Sequence, residues 1–195
     1  MKFIFIRHGQ THFNAIHIKQ GWCDSPLSPL GNQQVERISE LLASYPITKA
    51  YTSTLGRAIE TMKIVLKHHD LFIHYEERLK EIHFGINEGI NDDYERKLQV
   101  EDVDWLNNLQ MDYRPYHGEN MDDVIARQLE AVQEIIDSSD DSDCIVITGH
   151  GCSLYALMRT LLPRQQALSF PKNAQANILN YNGKWSLEKI IDPEI

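Results

Sequence analysis

The chain has 195 residues, 42% hydrophobic and 24% charged, which suits a single domain built on one sizeable core. Its 19 basic and 28 acidic residues leave a formal charge of −9, which argues against nucleic acid or an anionic membrane as partner, since both need a basic face. No apolar run approaches a membrane span and no secretion signal opens the chain, so a cytoplasmic protein is expected.

Lys2–Ile6 reads as a buried strand, a short β-favouring run without alternation that stops at Arg7-His8-Gly9. Ser28-Pro29 reads as the cap and first residue of a helix whose apolar face carries Leu30, Ile38, Leu41 and Leu42, with Pro46 ending it. Lys49–Thr52 is a short second strand, and Ser53 or Thr54 is expected to cap a helix bearing Ile59, Met62, Val65 and Leu66. Leu71–Tyr75 is a third strand, and residues 81–89, EIHFGINEG, read as a loop. Residues 91–112 lean towards helix and are strongly acidic. Met121, Val124, Ile125, Leu129, Val132 and Ile136 mark another helix after Gly118, and Cys144–Thr148 is the next buried strand. A helix follows Gly151 and is ended by Pro163. Ile178–Tyr181 and Trp185–Ile190 form a hairpin around Asn182-Gly183. Alternating strands and helices predict an α/β fold spanning 1–195 as one domain, with a largely parallel sheet and helices on both faces.

Cys23, Cys144 and Cys152 are odd in number and lack C-x-x-C spacing, which suits reduced thiols. Neither His68-His69 nor the His12/His17 pair has the spacing and acidic partner of a metal site, so no metal is expected.

Two strands end alike, FIFI in Arg7-His8-Gly9 and CIVIT in Gly149-His150-Gly151. Ligands in α/β sheets bind beyond the carboxyl ends of parallel strands, so His8 and His150 meet there if their strands are neighbours. Gly151 also opens a helix, whose free amides would face the same crevice. Arg7, and Arg57 in the first turn after the second strand, complete an anion site that matches phosphate. Each of these features alone is weak, and the reading rests on their combination.

The blocks RHGQT (7–11), DSPLSPLGNQQ (24–34), YTSTLGRAIET (51–61), LKEIHFGINEG (79–89), HGEN (117–120) and VITGHG (146–151) resemble, in order, those of the histidine phosphatase superfamily, which includes the cofactor-dependent phosphoglycerate mutases. The resemblance runs from residue 1 to about 162. It implies a three-layer sandwich, with a mixed, mostly parallel sheet between helices, and a phosphohistidine mechanism without cofactor. His8 would be the nucleophile, its other nitrogen held by a backbone carbonyl near Gly9. Arg7, Asn14, Arg57, His150 and Gly151 would hold the phosphoryl oxygens. Glu81 would be the proton donor, in a pocket with Ile82 and Phe84. Asn87, Asn120 and Cys152 depart from the residues common at those places, and none is a proposed catalytic group.

The expected substrate is a small phosphomonoester, of the kind taken by broad-specificity or α-ribazole phosphatases. A phosphoglycerate mutase is the alternative, disfavoured by the acidic stretch, where Asp92, Asp93, Glu95, Glu101, Asp102, Asp104 and Asp112 outnumber Arg96 and Lys97 and would repel a doubly anionic ligand. A non-catalytic phosphate- or phosphoprotein-binding module is disfavoured because binding alone does not require an acid. Trp22, His83, Phe84, Tyr94 and Trp105 are candidates for a leaving-group vestibule, and oligomeric state is left open.

Overall fold

Phe3-Ile4-Phe5-Ile6 form the centre of a sheet with both faces covered, which is why the run does not alternate with polar residues. Phe3 and Phe5 point into one core layer, Ile4 and Ile6 into the other. The computed structural model describes residues 1–91, 111–166 and 168–194.

The strands are β1 (Lys2–Arg7), β2 (Lys49–Ser53), β3 (Ile73–Glu76), β4 (Cys144–Gly149), β5 (Ala176–Tyr181) and β6 (Trp185–Ile191). Their spatial order is β3-β2-β4-β1-β5-β6. β3, β2, β4 and β1 pair in parallel, whereas β5 runs antiparallel to β1 and forms the closing hairpin with β6. The helices are α1 (His12–Ala15), α2 (Pro29–Leu42), α3 (Gly56–Val65), α4 (Met121–Asp137) and α5 (Gly151–Leu161).

Val35, Ile38 and Leu42 of α2 and Met62 and Val65 of α3 pack with Ile4 and Ile6 on one face. Ala131, Val132 and Ile135 of α4 and Leu154, Leu157 and Met158 of α5 pack with Phe3 and Phe5 on the other. The architecture is the expected α/β three-layer sandwich with a mixed, mostly parallel sheet. Among the described residues no helix is long and apolar enough to cross a membrane.

Several local expectations are corrected. Leu30 is exposed, because in the first turn of α2 it is Gly31 that faces inward, followed by the stripe Val35, Ile38, Leu42. The cap position of α3 is Leu55, which gives no side-chain cap, since Ser53 ends β2 two residues earlier. The third strand runs from Ile73 to Glu76, where it pairs with β2 from Ala50 to Ser53. The acidic helix expected over 91–112 lies outside the described residues except for its ends. Of those ends, exposed Asp112 pairs with Arg114.

The register matters for function. Arg7 of β1 lies opposite Gly149 of β4, so the two His-Gly tips leave the sheet side by side. α2 presses its first turn against the loop after β1, where a side-chain carbon on Gly31 would collide with the Gln10 carbonyl.

Candidate active site

His8 is 3% exposed and its backbone is fastened on every side. Its N–H donates to Gly149 O at 3.0 Å, and its carbonyl accepts from Ala174 N at 3.1 Å and Asn173 Nδ2 at 3.2 Å. Gly9 N donates to Thr61 Oγ1, whose hydroxyl donates in turn to Arg57 O at 2.8 Å. The imidazole Nδ1 lies 2.8 Å from Gly9 O. A carbonyl only accepts, so Nδ1 carries the proton and Nε2 keeps its lone pair. Burial, followed by the nearby Arg57 and Arg7 charges, holds the ring well below the ordinary histidine pKa.

His150 is fully buried, with its ring centroid 5.4 Å from that of His8. Its Nε2 meets Ser53 Oγ at 2.7 Å, and its buried Nδ1 has no hydrogen-bond partner among the described residues. Burial first, then the Arg57 charge, also holds this ring well below the ordinary value.

The unfolded chain protonates both histidines as pH drops through about 6.5, whereas the folded chain keeps them neutral. Their effect on stability is therefore absent above that pH and grows unfavourable below it. Urea unfolding between pH 7.5 and 5 should show stability falling by up to about 1.4 kcal/mol per pH unit for each ring below pH 6.5. A flat profile would contradict neutral burial.

Arg7 donates through Nη1 to Pro171 O at 2.9 Å and lies over the Phe170 ring, and its buried Nε has no protein partner. Gly151 must be glycine for this packing, since a side-chain carbon there would sit 2.7 Å from Phe170 and 3.2 Å from Arg7 Nε. Asn14 accepts through Oδ1 from Thr11 N and Asn173 Nδ2, each at 3.2 Å, so its amide nitrogen is what remains for an anion.

Arg57 is 1% exposed and its guanidinium is committed to the 21–24 loop. Nη1 donates to Cys23 O and Asp24 Oδ1, both at 2.9 Å, and Nη2 to Gly21 O at 2.7 Å. Only its Nε lacks a partner.

Glu81 provides the least expected feature. Two of the amides at the start of α5 are taken: Cys152 N donates to Glu81 Oε2 at 3.0 Å and Ser153 N to Oε1 at 2.8 Å. Oε1 also accepts from Ile82 N at 3.0 Å. The N-cap residue of α5 is His150, which makes no side-chain cap, and Glu81 caps the helix from a distant loop. Ile82 and Phe84 are buried as expected, but the carboxylate itself faces amide donors.

The loop carrying Glu81 is tied down by charges that the sequence did not reveal. Arg127 of α4 donates to the carbonyls of Arg78 (2.6 Å), Lys80 (2.8 Å) and Glu81 (3.0 Å). It also pairs with Glu119, whose Oε2 accepts from His83 N at 2.9 Å. Glu88 accepts from Phe84 N, Trp22 N and Cys23 N, joining this loop to the one that Arg57 holds. A charged residue three positions after Val124, on the inward side of a helix, was the available signal for Arg127. Arg127→Leu should lower unfolding free energy by about 3 kcal/mol, because three carbonyls and Glu119 lose a partly buried partner. Denaturant unfolding checks this, and a change below about 0.5 kcal/mol, typical of ordinary surface positions, would contradict it.

A cavity of about 300 Å³ opens on this arrangement, lined by Arg7, His8, Asn14, Glu81 and Gly151 among the expected residues. His17, Ile18, Lys19, Gln20, Cys152 and Phe170 line it too. His150 and Arg57 are not among its lining residues, but the His150 ring stands 5.4 Å from that of His8, which is. Of the vestibule candidates, Phe84 lines it, Trp22 and His83 pack at a tilt with ring centroids 4.7 Å apart, and Tyr94 and Trp105 lie outside the described residues. Asn120 caps α4 through Asp123 N, and Asn87 is buried. Among the described residues no group of three or more His, Cys, Asp or Glu side chains is placed to hold a metal ion.

A model of the histidine phosphatase superfamily (branch 1) matches residues 3–193. A 2,3-bisphosphoglycerate-dependent phosphoglycerate mutase of Nitrobacter winogradskyi is 32% identical over 164 residues, covering 81% of this chain and 79% of its own. YhfR of Bacillus stearothermophilus superposes with a TM-score of 0.85 at 33% identity, covering 95% and 94% of the two chains. A mycobacterial glucosyl-3-phosphoglycerate phosphatase, solved with VO3, gives 0.86 at 26% identity and 96% coverage of both.

Proposed function

The chain belongs to the histidine phosphatase superfamily, and from that premise we propose that it is a phosphomonoesterase working through a phosphohistidine on His8. The observation that carries this reading is the Nδ1 contact to Gly9 O, which leaves a neutral ring with a free Nε2 at the wall of a cavity shared with Arg7, Asn14 and Glu81. A lone pair fixed in direction at a rigid strand tip is what in-line attack on phosphorus requires.

In the first step Nε2 attacks phosphorus, the P–O ester bond breaks, and the leaving oxygen takes a proton from Glu81. Oε2 is the better placed proton carrier, because it accepts one amide whereas Oε1 accepts two. Arg7, the Asn14 amide, the Gly151 amide and His150 stabilise the equatorial oxygens, at roughly a few kcal/mol per preorganised donor. Arg57 adds charge and holds the 21–24 loop. In the second step water attacks phosphorus and gives its proton to Glu81. The N–P bond then breaks, phosphate leaves and His8 recovers its lone pair. No cofactor or metal enters this scheme.

The mutase reading has a specific basis in the name of the Nitrobacter relative. The seven acids among residues 92–112 and the chain's net charge of −9 favour hydrolysis, since that balance does little to attract a doubly charged ligand. The name of the mycobacterial structure supports the same side. The test is p-nitrophenyl phosphate hydrolysis in excess chelator beside 3-phosphoglycerate isomerisation. Hydrolysis that survives chelation, with negligible isomerisation, is expected. Isomerisation faster than hydrolysis would make the protein a mutase, and loss of activity in chelator without unfolding would overturn the metal-free scheme.

A further inference from the structure

The two histidines of the site are held by opposite nitrogens. His8 is fastened through Nδ1 to a carbonyl, which frees Nε2, and His150 is fastened through Nε2 to a hydroxyl, which frees Nδ1. A hydroxyl can give or take a proton, so the tautomer of His150 depends on what else Ser53 does.

Ser53 has one proton to donate. Its Oγ accepts from the Leu55 amide at 3.3 Å, and its only other hydrogen-bond partner among the described residues is His150 Nε2 at 2.7 Å. If Nε2 carried a proton, Ser53 would receive two N–H donors and its own hydrogen would have no acceptor in a fully buried place. Sending the hydroxyl proton to Nε2 puts the N–H on Nδ1 and leaves that one group unpartnered, whereas the opposite tautomer leaves two, the Ser53 hydrogen and the Nδ1 lone pair. That Nδ1 is buried without a hydrogen-bond partner among the described residues, on a ring 5.4 Å from His8.

The pair is held in place from the sheet below. β2 and β4 are in register at Thr52 opposite Thr148, one residue before Ser53 and two before His150. Thr148 Oγ1 donates to Thr52 Oγ1 at 2.7 Å, and Thr52 Oγ1 donates to the Ser53 carbonyl at 3.1 Å.

We infer that Ser53 is a positioning residue that fixes His150 in the Nδ1–H tautomer, so that an N–H rather than a lone pair is presented to the phosphoryl oxygens transferred to His8. The opposite tautomer would set a lone pair against an anion and remove a donor. The inference rests on the phosphohistidine reading for its catalytic meaning, but the tautomer itself is a property of the free protein.

Two-bond nitrogen–proton correlation spectra of 15N-histidine-labelled protein read it directly. The wild type should show His150 protonated at Nδ1 and free at Nε2. Ser53→Ala should populate the other tautomer and lower kcat on p-nitrophenyl phosphate about tenfold, the worth of one oriented hydrogen bond, with little change in KM. Ser53→Thr, which keeps the hydroxyl, should restore both readouts. A wild-type proton on Nε2 would overturn the inference even if Ser53→Ala does not fold. So would a slowed Ser53→Ala with an unchanged tautomer, or a changed tautomer with full kcat. Failure of the underlying reading looks different: no phosphoryl group on His8 whichever nitrogen of His150 is protonated.

Discussion

His8→Ala should fold, keep its phosphate pocket and lose turnover by at least about 10⁴-fold, the scale on which removing an activated nucleophile acts. The backbone of His8 makes its bonds to Gly149, Ala174 and Asn173 without the ring, so the substitution removes chemistry and leaves the strand tip in place. Steady-state hydrolysis of p-nitrophenyl phosphate checks it. Activity within tenfold of wild type would remove His8 as nucleophile and shift attention to a directly activated water. His150 cannot substitute, because its Nε2 is taken by Ser53 and its Nδ1, in the tautomer inferred above, carries a proton and has no lone pair to attack with.

Glu81→Gln should separate good from poor leaving groups. An alkyl phosphate needs a proton at its departing oxygen, so its hydrolysis should slow by about 10²- to 10⁴-fold, whereas p-nitrophenolate leaves without help and should be slowed far less. Glutamine can keep the carbonyl bonds from Ile82 N and Ser153 N and loses the one from Cys152 N. The start of α5 is then slightly loosened, an effect common to both substrates that cancels in their ratio. Equal losses for both would assign Glu81 to capping α5 and not to proton transfer.

Much of the site was legible because its parts stand at the ends of strands. An apolar run that stops at Arg7-His8-Gly9, and a second that stops at Gly149-His150-Gly151, already imply one crevice if the strands are neighbours, and Arg7 lies opposite Gly149. The His8 contact to Gly9 O was legible for a chemical reason, since a nucleophilic imidazole needs its other nitrogen occupied. What escaped was whatever depends on partners distant in sequence. Arg127 shows in the sequence as a charged residue three positions after Val124, but its partners, three carbonyls of the Glu81 loop, lie 46 to 49 residues away. Phe170 comes from an irregular segment with no periodicity to mark it, yet it lies under Arg7. A helix start is a ready anion site, but an internal carboxylate takes two of the amides at the start of α5, those of Cys152 and Ser153. By residue type, Ser53 or Thr54 is the expected cap of α3. The place of Ser53 at the end of β2, in register with the strand that carries His150, gave it a different partner.

The central claim is a covalent bond between phosphorus and one nitrogen, and it is tested by trapping that bond. Wild-type protein mixed with excess phosphomonoester, denatured within milliseconds and digested under alkaline conditions should yield a single phosphorylated peptide from the amino terminus, acid-labile and carrying the phosphoryl group on His8 Nε2. A phosphoryl group on another residue, or an unmodified peptide from an enzyme shown to be turning over in a regime where hydrolysis of the intermediate limits the rate, would contradict it.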